Sequence, residues 1–263
     1  MAMQKRIAAI HDISCFGRCS LTVALPIISA VGIEVSAIPT AVLSTHTGGI
    51  SGYTFRDLTK DILPIAEHWQ SLNLSFDALY SGFLGSFEQI QIVMEVFERF
   101  RKEDNLFIVD PVMADNGELY KVFPENFPSG MRTICEKADV IIPNITEAVL
   151  LLGETYHEGP YTETYIETIL RNLSALGPRQ VVLTGVYFDN HQLGAASFDA
   201  GTNKIQYSFA ERIDGYFHGT GDVFGSALVA ALLREKTLSQ ATAIAVDFTV
   251  KSIKRTIEAG SDI

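Results

Sequence analysis

The chain has 263 residues, a length that could mean one large α/β domain or two small ones, and with 47% hydrophobic and 19% charged residues it has ample material for a core. Its net charge of −11 argues against a nucleic-acid partner, whose phosphates need a positive surface. Three cysteines, Cys15, Cys19 and Cys135, form neither an even framework nor a zinc-ligand spacing, so reduced thiols in a cytosolic protein are expected.

At the N-terminus the apolar run after Lys5 and Arg6 breaks at His11-Asp12. That is too short for a signal peptide, and no later run approaches a membrane span. Short runs rich in β-branched residues then alternate with longer helical patterns, which predicts βαβ units around a parallel sheet. Strands are expected at 6–10, 33–38, 78–81, 106–110, 140–142, 181–184, 193–198 and 205–209. The polar stretch 199–204 joins the last two as an antiparallel hairpin. Helices are expected near 19–31, 55–70, 86–102, 126–137, 145–153, 162–176, 222–234 and 238–258. No linker, repeat or low-complexity tract divides the chain, so a single domain over residues 1–263 is expected.

Ligands of such sheets sit beyond the carboxyl ends of the parallel strands, so the strand exits are the candidate sites of chemistry. Asp12 follows the first strand, as a substrate contact or as a loop cap. The second strand leads to Ser44-Thr45-His46-Thr47-Gly48-Gly49, where Thr47 offers a hydroxyl in a loop that could equally be structural. Tyr80-Ser81-Gly82 ends the third, with a glycine that permits close approach. The fourth ends in Asp110-Pro111-Val112-Met113-Ala114-Asp115, and Pro111 keeps Asp110 extended. Two carboxylates at one exit are costly unless a cation or buried base joins them; otherwise they are solvated loop acids.

Pro143-Asn144-Ile145-Thr146-Glu147 has, by spacing, the pattern of a capping box. Val181 to Leu183 leads to the small polar pair Thr184-Gly185. Near the C-terminus, His218-Gly219-Thr220-Gly221-Asp222 precedes an apolar run from Val223 to Leu233 without strand alternation. A glycine turn opening a buried helix collects free N–H groups and the positive end of the helix dipole, which is an anion site. A carboxylate beside an anion site makes sense if it takes a proton from a hydroxyl that attacks a bound phosphate. The alternative is that Asp222 is a plain N-cap.

With HTG, DPVxxD, PNxxE and GTGD in order from Arg6 to about Ile257, the chain resembles the ribokinase-like superfamily. It is most similar to the vitamin B6 branch, the pyridoxal (pyridoxine, pyridoxamine) kinases. The resemblance implies a doubly wound, mostly parallel sheet with helices on both faces. Sugar kinases of the superfamily insert a strand-rich lid after the first strand; here little more than one helix, interrupted by Pro26, lies there, so no large lid is expected. The implied cofactors are ATP as co-substrate and Mg²⁺, with a monovalent cation as an optional companion. By the same resemblance Asp222 is the general base, and Gly219, Thr220 and Gly221 form the anion hole. Asp115, Asn144, Thr184 and Gly185 serve ATP, and Asp110 and Glu147 the metal. Asp12, Thr47 and Tyr120 serve the substrate, although the family often has a serine where Asp12 stands. A cytoplasmic homodimer acting on a small molecule, without membrane or nucleic-acid partners, is also implied.

The nearest alternative is a hydroxymethylpyrimidine (phosphate) kinase of thiamine synthesis. That subgroup often has HGTG followed by cysteine; here His218 matches but Asp222 departs. A dinucleotide-binding oxidoreductase would need G-x-G-x-x-G after the first strand, and a Walker-A kinase would need Gly-Lys-Ser/Thr; neither occurs. A non-catalytic ligand-binding relative would have no use for the carboxylate of Asp222.

Overall fold

Strand β1 (Arg6–Ser14) runs through the interior of the sheet because Ile7, Ala8, Ala9 and Ile10 are apolar and fully buried on both faces. It pairs in parallel with β2 (Glu34–Leu43) on one side and with β4 (Ala78–Ser81) on the other. Beyond β4 lie β5 (Leu106–Val109), β8 (Val140–Ile141) and β9 (Gln180–Val186), all parallel. Antiparallel strands finish both ends. These are β3 (Phe55–Asp57) on β2, and β10 (Gln192–Asp199) then β11 (Lys204–Glu211) on β9. The nine-stranded order is β11-β10-β9-β8-β5-β4-β1-β2-β3 in this computed structural model, which describes residues 4–48, 50–215 and 217–260.

Successive strand residues point to opposite faces, and each face has its own core. Ile7, Tyr80, Ile108 and Val182 pack under α1 (Leu21–Ala30), α7 (Thr220–Leu233) and α8 (Leu238–Glu258). Ala8, Ile10, Leu79 and Val181 pack under α2 (Thr59–Ser71), α3 (Phe87–Phe100), α4 (Phe127–Cys135), α5 (Ile145–Leu152) and α6 (Glu163–Ala175). The expected doubly wound architecture is therefore the observed one. Helix α1 takes the chain outward from β1 to β2, and α2 returns it to β4 on the other side of β1. The winding thus reverses between β1 and β4, which is where such sheets open a crevice. Among the described residues, no helix is long and apolar enough to cross a membrane.

Several boundaries differ from expectation for identifiable reasons. Strand β1 continues past residue 10 to Ser14, because His11, Ile13 and Ser14 keep pairing with β2 across one irregularity at Asp12, which is itself buried. The expected helix near 19–31 begins at Leu21, since Arg18 and Ser20 take positive φ of 53° and 56°. The expected helix near 55–70 begins at Thr59, because Phe55–Asp57 pair with β2 as an edge strand and Leu58 is the helix N-cap. A small hairpin, β6 (Ala114–Asp115) with β7 (Glu118–Leu119), was not foreseen. It turns on Asn116-Gly117, both with positive φ (51° and 82°), as a type I′ turn requires.

Helix α7 sits over the sheet so closely that Gly225 leaves no room for a side chain: a Cβ there would collide with the buried Tyr80 Oη. Overpacking at such a site costs about 1–3 kcal/mol. That exceeds the roughly 1 kcal/mol of helix propensity that alanine adds over glycine. Gly225→Ala is expected to lower the urea midpoint, whereas in a Tyr80→Phe background the same change should raise it. The same sign in both backgrounds would locate the clash elsewhere.

Candidate active site

The site is built around the start of α7. Its N-cap is Gly219, with φ 77° in the left-handed region, and a Cβ there would run into the Arg18 carbonyl oxygen. Val223 donates the first intrahelical bond to Gly219 O (3.0 Å). The N–H groups of Thr220, Gly221 and Asp222 are therefore without intrahelical acceptors, at the positive end of a 14-residue helix. The Thr220 hydroxyl donates to Phe217 O (3.1 Å) and ties the turn together.

Asp222 is the third residue of the helix, not its N-cap, so the plain capping reading does not hold. Burial raises its pKa to about 6; the Ser20 backbone N–H works against that rise and the Asp12 charge adds to it. A carboxylate so tuned is matched to accept a proton near neutral pH.

Asp110 stands buried at the exit of β5, with its Oδ2 near the first turns of α7, 3.6 Å from where a Gly225 Cβ would lie. Burial pushes its pKa well up, and the neighbouring Glu147 and Asp222 charges push the same way. Glu147 is buried too, and the capping box expected from spacing is formed in full. Its Oε2 accepts from Asn144 N–H (2.8 Å), while Asn144 Oδ1 accepts from Glu147 N–H (2.9 Å). Glu147 Oε1 also accepts from Met113 N–H (3.1 Å), and Asn144 Nδ2 donates to Ala114 O (2.8 Å). These bonds lay the 110–115 loop across the start of α5. Burial raises the Glu147 pKa against the pull of those N–H groups, with Asp115 adding to the rise. Asp115 is half-buried and accepts from Asn116 N–H (2.9 Å) and Asn116 Nδ2 (3.1 Å).

Thr184 lies beside Asn144 in an isolated parallel bridge and donates its N–H to Pro143 O (2.9 Å). Gly185 follows, exposed, with φ 76°. Thr47 is exposed on its loop, and Tyr120 is exposed just after β7. Asp12 departs from the open position a substrate contact needs. It is 4% exposed, and its carboxylate already accepts from the hydroxyls of Ser20 (2.6 Å) and Ser14 (3.1 Å).

Sequence reading missed the contact between the two loops. His46 is buried and accepts from Gly48 N–H through Nδ1 (3.2 Å), and its ring lies 4.5 Å, centroid to centroid, from that of His218. The loop after β2 thus packs on the turn before α7, and both border a cavity of about 840 Å³ with Gly48 and Thr220. The only signal in the sequence was a histidine in each loop. Tyr80, near the exit of β4, also belongs to the buried wall of the site: its hydroxyl shares the space beside Gly225 with Asp110.

None of Asp12, Asp110, Asp115, Glu147 and Asp222 belongs to any ion pair found among the described residues. Nor do three His, Cys, Asp or Glu side chains converge on one metal position there. Such a set fits Mg²⁺, which takes one or two carboxylates and completes its shell with water and substrate phosphates.

A family model described as phosphomethylpyrimidine kinase matches residues 25–263. The chain belongs to the phosphomethylpyrimidine kinase family. Among solved structures it is similar to that of a candidate phosphomethylpyrimidine kinase from Bacteroides thetaiotaomicron. The identity is 39% and the TM-score 0.94, over 100% of this chain and 90% of the other. A second crystal form of that protein, with pyridoxal, matches at 38% identity and TM-score 0.90, over 99% and 90% of the two chains. The pyridoxal kinase of Lactobacillus plantarum matches at 32% identity and TM-score 0.90, over 99% and 92%. The pyridoxal kinase of Dictyostelium discoideum is 25% identical over 89% of this chain and 80% of its own.

The raised acid in this family member has a consequence for stability. A carboxyl whose folded pKa lies above its unfolded value binds more protons folded than unfolded, so its ionisation weakens the fold as pH rises. For Asp222 that loss sets in above 3.8 and is complete above about 6. Asp222→Asn is expected to melt above the parent at pH 7–8, with the difference vanishing near pH 4. Equal melting temperatures at pH 8 would remove the buried-charge account.

Proposed function

We propose that the chain transfers the γ-phosphoryl group of ATP to the 5′-hydroxymethyl group of pyridoxal, pyridoxine or pyridoxamine, as one domain over residues 1–263. The observation that carries this is the carboxylate of Asp222, with its pKa raised to about 6, in the first turn of a helix whose leading N–H groups are free of intrahelical acceptors. The crystal form of the similar Bacteroides protein with pyridoxal supports the choice of alcohol.

Asp222 accepts the hydroxyl proton, and the alcohol oxygen attacks the γ-phosphorus in line while the bond to the bridging oxygen of ADP breaks. The N–H groups at Gly219, Thr220 and Gly221 hold the charge on the transferring group. Asn144, Thr184, Gly185 and Asp115, gathered at the α5 start and the β9 exit, position ATP. Thr47 and Tyr120 contact the alcohol from the exposed loops. Asp110 and Glu147 would hold Mg²⁺, which would supply neutralisation of charge on the phosphate oxygens. The reading extends to a cytosolic setting, supported by three unpaired thiols, and to a homodimer, which rests on the resemblance alone.

A second reading, phosphorylation of hydroxymethylpyrimidine or its phosphate, is favoured by His218 ahead of the glycine turn and by the family's own description. ATP turnover with each B6 alcohol and with hydroxymethylpyrimidine, offered separately, decides between them. Asp222→Asn preserves shape and removes the base, so kcat should fall by roughly 10²–10⁴-fold with both Km values little changed. Near-parental kcat would reduce Asp222 to a structural acid. Glu147→Gln should raise the Mg²⁺ concentration giving half-maximal rate, with the Km of the alcohol unaltered. A magnesium titration superimposable on the parent's would sink the metal assignment.

A further inference from the structure

Asp12 brings a carboxyl group into the wall behind the base, where it binds no cation among the described residues; burial raises its pKa, and the Ser20 and Ser14 hydroxyls work against that rise. Its two oxygens take the hydroxyls of Ser20 (2.6 Å) and Ser14 (3.1 Å). Ser20 is the more constrained of these partners. It is a non-glycine residue at φ 56°, a region that persists only where the surroundings impose it. The surroundings here are the short bond to Asp12 and an antiparallel bridge to Ile13. Ser20 then opens α1, its carbonyl accepting from Val23 and Ala24 N–H (3.0 Å each).

The segment held in this way lies against the catalytic turn. The Arg18 carbonyl fills the space beside Gly219, and Cys19 Sγ is 3.3 Å from where a Cβ on Gly219 would be. The Ser20 backbone N–H lies near enough to the Asp222 carboxylate to work against the rise in its pKa. A charged acceptor binding a hydroxyl is stronger than a neutral one, which suits an anchor that must hold an unfavourable φ.

We propose that Asp12 is a positioning residue for the base: through Ser20 it fixes segment 18–20 against turn 219–222, so that the Ser20 N–H orients the Asp222 carboxylate towards the hydroxyl it deprotonates. This differs from a substrate contact in what it sets, namely the geometry of the base rather than affinity for the alcohol. Its catalytic arm rests on the kinase reading; its structural arm does not.

The test uses Asp12→Asn, which keeps the size and replaces one acceptor oxygen, and Ser20→Ala, which removes a single hydroxyl. Both should lower kcat about 10- to 100-fold, the scale of a small misplacement of a catalytic group. The Km values for ATP and alcohol should stay within about twofold, because the lost interaction matters in the transition state. The second readout needs no activity. Cys19 is half-buried with its thiol held up at about 12, chiefly by burial, whereas Cys15 is exposed. Trypsin cleavage after Arg18 separates the two, so iodoacetamide labelling followed by peptide mass analysis reads each alone. Loosening of segment 18–20 should speed alkylation of Cys19 several-fold and leave Cys15 unchanged. Parental labelling of Cys19 in both variants overturns the proposal, as does a raised Km for the alcohol with kcat intact. If the parent turns over none of the alcohols, the kinase reading fails while the labelling still decides the clamp. If Asp12→Asn does not fold, Ser20→Ala carries both readouts.

Discussion

Carboxylates gathered out of water around one helix N-terminus are what the rest of this structure has to accommodate. Asp12, Asp110 and Glu147 are buried and Asp222 is half-buried, yet none pairs with a lysine or arginine among the described residues. An ionised group without a partner in such a place costs several kcal/mol. For Asp12 two serine hydroxyls offset that cost, and for the others the protein uses backbone. The free N–H groups of α7, the Met113 and Asn144 N–H groups on Glu147, and the Ser20 N–H beside Asp222 are all main-chain donors. Protonation of the raised acids offsets more of it, and in the proposed reaction a bound cation with its phosphates offsets the rest.

Main-chain donors suit such a site because they are fixed by the fold and need no side-chain ordering on binding. The capping box of α5 shows how one set of bonds serves two ends. It closes the helix start, and it also holds Glu147 and the loop carrying Asp110 and Asp115 in a single geometry. The capping box is formed in full, and the proposed metal and ATP roles of Glu147 and Asn144 would use this same arrangement. The buried wall behind them is equally specific. His11, kept neutral because burial lowers its pKa to about 3, sits edge-on to Tyr80 at 4.5 Å, and Tyr80 in turn dictates glycine at position 225.

The reversal of winding between β1 and β4 explains why these groups meet although they are far apart in sequence. The strand exits bring Asp12, Ser81 and Asp110 to one edge, and α7 crosses that edge with its N-terminus over the crevice. The loops carrying His46 and His218 then meet at the rim, ring against ring.

The alternation of strands and helices, the helices on both faces, the glycine turn opening the buried helix and the acids at Asp110, Glu147 and Asp222 were all legible in the chain. Each depends on short-range signals: hydrophobic period, a proline or glycine at a fixed offset, and capping spacing. The Asn116-Gly117 hairpin was legible too, and was overlooked. Other features could not be read in that way, because they depend on which groups the winding brings within a few ångströms across long sequence separations. They include the positive φ at Ser20, the burial of Asp12 between Ser14 and Ser20, the collision that keeps residue 225 a glycine, and the His46–His218 contact. Local propensity sets what a segment prefers, whereas charge burial and side-chain clash depend on what stands opposite, and only the folded chain supplies that.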